Sequence, residues 1–173
     1  MCSEKRIVVA LYGRSCSGKS TTARELSQLL DCPTYSAGER VKGRSKELGV
    51  PPADLSVLEH RLIDESLRTM VQSAAKSLIV EGSFLDVLFY DLGNVYRIEL
   101  VCSAQERRRR FSQRSGFDNL SGRDKNDDDL RRALHGERNC SAEATFDTTS
   151  KTPAEVAREI FRWLEARTSK APG

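Results

Sequence analysis

The chain has 173 residues, a size suited to one well-buried core. Its 28 Lys plus Arg against 25 Asp plus Glu leave a formal net charge of +3, too small to argue for nucleic-acid binding from charge alone. No apolar run approaches the roughly 18 residues needed to span a bilayer, and the first residues lack the long apolar segment and small-residue cleavage site of a secretory leader.

In chain order, Ile7, Val8 and Val9 make a β-branched apolar run that predicts a buried parallel strand over 6–11. A glycine loop follows, and then Ala23, Leu26, Leu29 and Leu30 recur at helical spacing over 19–30, with Pro33 as a stop. Tyr35 closes a short second strand. A helix is predicted over 38–48, ended by Gly49 and the stiff pair Pro51-Pro52. The longest helical pattern covers 55–75, with Leu55, Leu58, Leu62, Met70, Val71 and Ala74 on one stripe.

Leu78-Ile79-Val80 reads as a strand ending at Glu81-Gly82, and 95–101 reads as another, carrying Ile98, Leu100 and Val101. Ser103 and Glu106 have the spacing of a capping box before a helix that carries Arg107 to Arg110. From 115 to about 128 the chain is polar and glycine-bearing, which predicts a mobile loop. Thr152-Pro153-Ala154-Glu155 is a second capping box, opening a final helix with Val156, Ile160, Trp163 and Leu164 at core spacing and a frayed tail at 169–173. Strands alternating with helices predict an α/β fold of three layers, a parallel central sheet with helices on both faces, in one domain over 1–173. The five cysteines, Cys2, Cys16, Cys32, Cys102 and Cys140, form no CxxC pair and are odd in number, which predicts reduced thiols and a cytoplasmic setting.

Gly13-Arg14-Ser15-Cys16-Ser17-Gly18-Lys19-Ser20 matches Gly-x4-Gly-Lys-Ser, with a predicted strand before it and a predicted helix after it. Gly13 and Gly18 let the backbone curl so that successive N–H groups face one concave anion site, to which the helix adds its positive end. Lys19 is expected to reach the β- and γ-phosphates of ATP, and the Ser20 hydroxyl to ligate Mg²⁺, while Thr21 continues the loop into the helix. A strand-end carboxylate usually completes such a metal site, and Glu81 is the candidate. A GTPase is excluded, because Lys125-Asn126-Asp127 has the wrong order for a base-reading Asn-Lys-x-Asp and Asp91-Leu92-Gly93 has the wrong spacing for a switch. A motor or transporter ATPase needs far more chain. Small kinases remain, of three-layer P-loop fold with a small helical and loop lid.

Within that group the sequence resembles the cytidylate kinases, members of the nucleoside monophosphate kinases. The resemblance is carried by the glycine loop, by Tyr35-Ser36-Ala37-Gly38-Glu39-Arg40-Val41-Lys42, by Ile79-Val80-Glu81-Gly82, by Arg107, Arg110 and Arg114 followed by Arg123-Asp124-Lys125-Asn126-Asp127, and by Phe146-Asp147-Thr148-Thr149-Ser150. It implies acceptor-binding helices over 37–76 and a lid over 107–136, with Arg110, Arg114 and Arg123 closing over the phosphates. It also implies acceptor contacts from Ser36, Gly38, Lys42, Gly82 and Ser83. The chain departs from the family's pattern at three points: Ser83 stands for an arginine after Glu-Gly, Phe84 for an acidic residue, and Lys42 for an acceptor-side arginine. Lysine keeps the charge but loses the planar fork that grips a phosphate with two parallel bonds.

The expected function is transfer of the ATP γ-phosphoryl group to a nucleoside monophosphate such as CMP or dCMP. Two alternatives stay open. One is an alcohol or sugar kinase, for which Asp86 is the candidate base. The other is a nucleotide-binding regulatory module whose acceptor site has decayed. The expected partner is a small-molecule phosphate acceptor, with neither nucleic acid nor membrane.

Overall fold

The computed structural model describes residues 6–116, 119–138 and 140–169. Cys2 and most of the predicted tail lie outside them. Five strands form one parallel sheet in the order β2-β3-β1-β4-β5: β1 Val8–Tyr12, β2 Thr34–Ser36, β3 Leu78–Gly82, β4 Val95–Val101 and β5 Ala144–Asp147. The helices are α1 Lys19–Leu30, α2 Ala37–Leu48, α3 Val57–Ser73, α4 Leu85–Leu88, α5 Ala104–Ser115, α6 Leu120–His135 and α7 Pro153–Thr168, with a 3-10 turn at Pro52–Asp54.

β1 and β3 are buried along their whole length, because both of their faces are covered. Alternate residues point to opposite layers. Val8, Ala10, Tyr12, Leu78 and Val80 meet Leu67 and Val71 of α3 and Leu85, Leu88 and Phe89 at α4. Val9, Leu11, Ile79, Ile98 and Leu100 meet Ala23 and Leu26 of α1 and Val156, Ile160 and Leu164 of α7. This is the three-layer P-loop architecture. The chain leaves β1 toward β3 on one side and reaches β4 on the other, so the crevice at the carboxyl end of β1 is the switch point where α/β sheets bind ligands.

α7 begins with the expected capping box. The Thr152 hydroxyl accepts from Glu155 N, and the Glu155 carboxylate accepts from Thr152 N, with Pro153 in the first turn. Ser103 likewise accepts from Glu106 N at the start of α5, but the reciprocal bond is absent because Glu106 turns to Arg109 and Arg110 instead. Trp163 packs edge-on to Tyr96 with centroids 5.8 Å apart.

Three expectations are corrected. The segment read as a mobile loop over 115–128 becomes helical from Leu120. Its composition is poor for a helix, and tertiary ion pairs override that propensity. The stripe assigned to the long helix holds at Leu55, Met70, Val71 and Ala74 but fails in its first half, where Leu58 is 64% exposed and Leu62 48% while His60 is buried. Only the second half of α3 packs on the sheet, and its first half runs out beside the switch-point crevice. The short α4 was not foreseen, since four residues show no helical period.

α6 is pinned to the core by Arg131, whose two terminal nitrogens donate to the two carboxylate oxygens of Asp86 at 2.9 and 2.6 Å. Asp86 is 3% exposed. Removing one member of such a pair strands the other in the interior, at a cost of about 3 kcal/mol. We expect Asp86→Ala and Arg131→Ala each to lower stability by that order in denaturant unfolding, and the double variant to lose much less than the sum.

Candidate active site

The carbonyl groups of the glycine loop need donors wherever they are shut off from water. The surroundings supply one for every residue from Gly13 to Gly18. Lys19 Nζ donates to Gly13 O at 2.9 Å and Arg14 O at 3.0 Å. Arg107 Nε donates to Ser15 O at 2.8 Å, and Arg110 Nη1 to Cys16 O at 3.4 Å. Thr148 Oγ1 donates to Ser17 O at 2.8 Å, and Thr22 N with Thr21 Oγ1 covers Gly18 O.

The loop's curl depends on left-handed backbone at Gly18 (φ 91°) and at Cys16 (φ 63°). At Gly13 (φ 144°) the reason for glycine is space: a Cβ there would come within 2.3 Å of Leu100 O. α1 starts at the loop's end, so its unpaired N–H groups and positive pole point into the crevice. Burial pushes the Lys19 ammonium below the ordinary lysine value, against the opposing pull of Glu81 and Asp127.

The loop floors a cleft of about 1400 Å³. Glu81, 6% exposed, ends β3 in register with Leu11 and Ser36 and lines this cleft together with Ser20. A carboxylate and a hydroxyl are the oxygen donors a Mg²⁺ ion accepts when phosphates and water complete its shell. Among the described residues, no group of three or more His, Cys, Asp or Glu is arranged to hold a metal without such help.

Of the expected lid arginines, Arg110, Arg114 and Arg123 all line the cleft. Arg110 is anchored by Glu106 at 2.8 Å and donates to Thr148 O at 2.6 Å, so it braces the loop from the side. Arg114 lies over the Phe111 ring. Arg123 donates to Ser15 Oγ at 3.4 Å and pairs with Asp127 at 3.3 Å. α6 presents carboxylates to the loop: Ser15 Oγ donates to Asp127 at 3.1 Å, Arg14 pairs with Asp128 at 3.2 Å, and Arg107 pairs with Asp124. Sequence reasoning missed the structural weight of Arg107, Thr148 and Arg131. The signal available for the first was the i, i+3, i+7 spacing of Arg107, Arg110 and Arg114, which puts them on one helix face.

The residues expected to contact an acceptor, Ser36, Gly38, Lys42, Gly82 and Ser83, all border the same cleft. Ser36 caps α2 by accepting from Glu39 N. Lys42 is paired with Glu39 at 2.6 Å. A Cβ on Gly82 would sit 2.9 Å from Ala37 Cβ, so the strand end must be glycine for α2 to approach. The neighbouring arginines turn away: Arg40 donates to Ser66 at 3.0 Å, and Arg44 grips Glu59 at 2.6 and 3.2 Å, both beside a separate groove of about 370 Å³. Asp86, the carboxylate singled out for an alcohol kinase, does not line the cleft and has both oxygens taken by Arg131.

The family model described as AAA domain (AAA_18) matches residues 9–136. A curated cytidylate kinase from Thermoplasma acidophilum is 30% identical over 123 residues, which take in 67% of this chain and 65% of that protein. The chain thus spans slightly under two thirds of that relative's length. Among solved structures, a shikimate kinase from Acinetobacter baumannii in complex with shikimate superposes with TM-score 0.70 at 14% identity, covering 96% of this chain and 97% of that one. A gluconokinase from Sinorhizobium meliloti superposes with TM-score 0.67 at 18% identity, covering 97% and 100%. At such identities the two superpositions speak for the fold.

Burial raises the Asp127 carboxyl above the ordinary aspartate value, more strongly than Arg123 and Ser15 lower it. A folded-state value above the unfolded one means that the ionised group costs stability at neutral pH, and the cost vanishes as pH falls through the raised value. Asp127→Asn should therefore melt higher than the parent at pH 7.5. Thermal melts across pH should show that advantage shrinking toward zero in acid.

Proposed function

The chain belongs to the AAA_18 family of AAA domains, and from that premise we propose that it is an ATP-dependent kinase whose acceptor is a nucleoside monophosphate such as CMP or dCMP. The observation that carries this reading is the glycine loop at the head of α1, its carbonyls from Gly13 to Gly18 each met by a donor and Lys19 held against the loop at the cleft. The similarity to a cytidylate kinase and the chain order of the four other matching segments support the acceptor class.

In this reading Gly13, Arg14, Ser15, Cys16, Ser17 and Gly18 hold the β-phosphate through main-chain N–H groups, with Lys19, Ser20 and Thr21 at the head of α1. Lys19 exchanges its bonds to Gly13 O and Arg14 O for phosphate oxygens, and its buried position strengthens that contact. Ser20 and Glu81 would hold Mg²⁺, which when bound offsets negative charge on the phosphates. Arg114 and Arg123 line the cleft, Arg123 against Ser15 of the loop, and would stabilise the charge that spreads across the transferring group. Arg110 holds the loop in shape while it does so. Residues 107–136 act as the lid and 37–76 as the acceptor side. An acceptor that is itself a phosphate is already an anion at neutral pH, so the transfer needs no general base.

A second reading, a kinase of a small alcohol or sugar, is favoured by one observation: Arg40 and Arg44 are engaged away from the cleft, which leaves Lys42 as the cation on α2 that borders it. That reading needs a base other than Asp86. No helix in the described residues is long and apolar enough to cross a membrane, and Cys16, Cys32, Cys102 and Cys140 are free thiols, both in keeping with work in the cytoplasm.

The deciding measurement is transfer from labelled ATP to a panel of nucleoside monophosphates and cyclic polyols. We expect transfer to nucleotides and a loss of about 100-fold or more in Lys19→Met. Transfer to polyols alone would replace the first reading by the second, and transfer to neither would leave only nucleotide binding.

A further inference from the structure

The acceptor end of the cleft holds a cluster that the phosphoryl chemistry does not use. Asp64 and His60 lie one turn apart on the half of α3 that overhangs the cleft, and both border it. His135, at the end of α6, faces Asp64 with Nε2 at 3.4 Å from Oδ2. Both of those atoms are buried, and neither completes a hydrogen bond among the described residues. Asp64 nonetheless keeps 22% of its side-chain surface, so the exposed remainder is turned toward the cleft. Phe84 borders the cleft beside them, its ring edge-on to His135 with centroids 6.3 Å apart. Burial lowers the His60 pKa below the ordinary histidine value, against the pull of Asp64, so His60 is neutral at physiological pH.

We propose that Asp64, backed by His135 and walled by Phe84, is the specificity-determining residue of the acceptor site, reading a hydrogen-bond donor on a planar ring: the exocyclic amine of a nucleobase such as cytosine or adenine. The inference rests on the nucleotide-kinase reading and adds to it the residue that selects the base. An ionised carboxylate accepts hydrogen bonds and donates none. It rewards a ring amine and repels a ring carbonyl at the same place, so the two are separated by an unmet polar contact as well as by a missing one. His135 approaches one carboxylate oxygen to 3.4 Å from the α6 side, and the rest of the group is left for the ligand. The flat apolar side chain of Phe84 suits a ring better than the puckered face of a sugar. Phe84 and Ser83 are also the points where the chain departs from the cytidylate kinase pattern after Glu81-Gly82, so the base must be read from elsewhere, and α3 is the element that overhangs the vacated place.

The experiment compares the parent with Asp64→Asn, which keeps shape, and Asp64→Ser, which guards against a misfolded first variant. Steady-state kinetics are run with CMP, AMP and UMP at saturating ATP, together with the KM for ATP and the melting temperature. We expect the parent to prefer amine-bearing acceptors. In both variants the acceptor KM for those nucleotides should rise tenfold or more, and the ratio of kcat/KM for CMP over UMP should fall at least tenfold. The KM for ATP should stay within twofold. Acceptor KM and selectivity within twofold of the parent would overturn the inference while leaving the kinase reading intact. A parent that phosphorylates only polyols, or nothing, overturns both.

Discussion

A loop that offers its amides to an anion must turn its carbonyls outward, and buried carbonyls without donors cost about as much as the lost hydrogen bonds themselves. The arrangement around Gly13 to Gly18 is a response to that constraint. Lys19 and Thr22 of α1, Arg107 and Arg110 of α5, and Thr148 after β5 come from three different elements, and each ends on a loop carbonyl. The positions of α5, and of the turn after β5 that carries Thr148, follow from this demand more directly than from any apolar contact. Arg107 is 6% exposed and Thr148 3%, values unusual for such side chains unless they are paired.

The same constraint explains why α6 is ordered. Its face toward the loop carries Asp124, Asp127 and Asp128, which meet Arg107, Ser15 and Arg14, and one turn further on Arg131 enters the core to meet Asp86. Burial of the Asp127 carboxylate costs desolvation, visible in its raised pKa, which Arg123 offsets only in part. A helix assembled from such pairs is held by groups that also respond to phosphate.

The acceptor side obeys a different logic. α2 is anchored by the close approach of Ala37 to Gly82 and by a grip between Arg44 and Glu59 on α3. Those contacts turn Arg40 and Arg44 outward and leave the cleft wall to Lys42, Asp64, His60 and Phe84. A cation-rich end and a carboxylate-and-aromatic end therefore share one cavity.

The sequence by itself determined the strand-helix alternation through the first four strands, the glycine loop with Lys19 at the head of α1, and the caps at Thr152 and Ser103. Each of these depends on residues a few positions apart, so local chemistry settles it. The family resemblance was legible too, because its segments keep their order along the chain. Only the tertiary structure decided what depends on distant partners. The helix at Leu120–His135 forms against its own composition because its charges find partners more than 15 residues away, from Arg14 to Asp86. The face of α3 turned on which half of the helix the sheet could reach, which exposed Leu58 and buried His60. Asp86 is withdrawn from the cleft by its pairing with Arg131, and Asp64 meets His135 only because α3 and α6 pack together. Spacing along a chain reports which groups share a turn, whereas pairing between charges is fixed only when the layers close on one another.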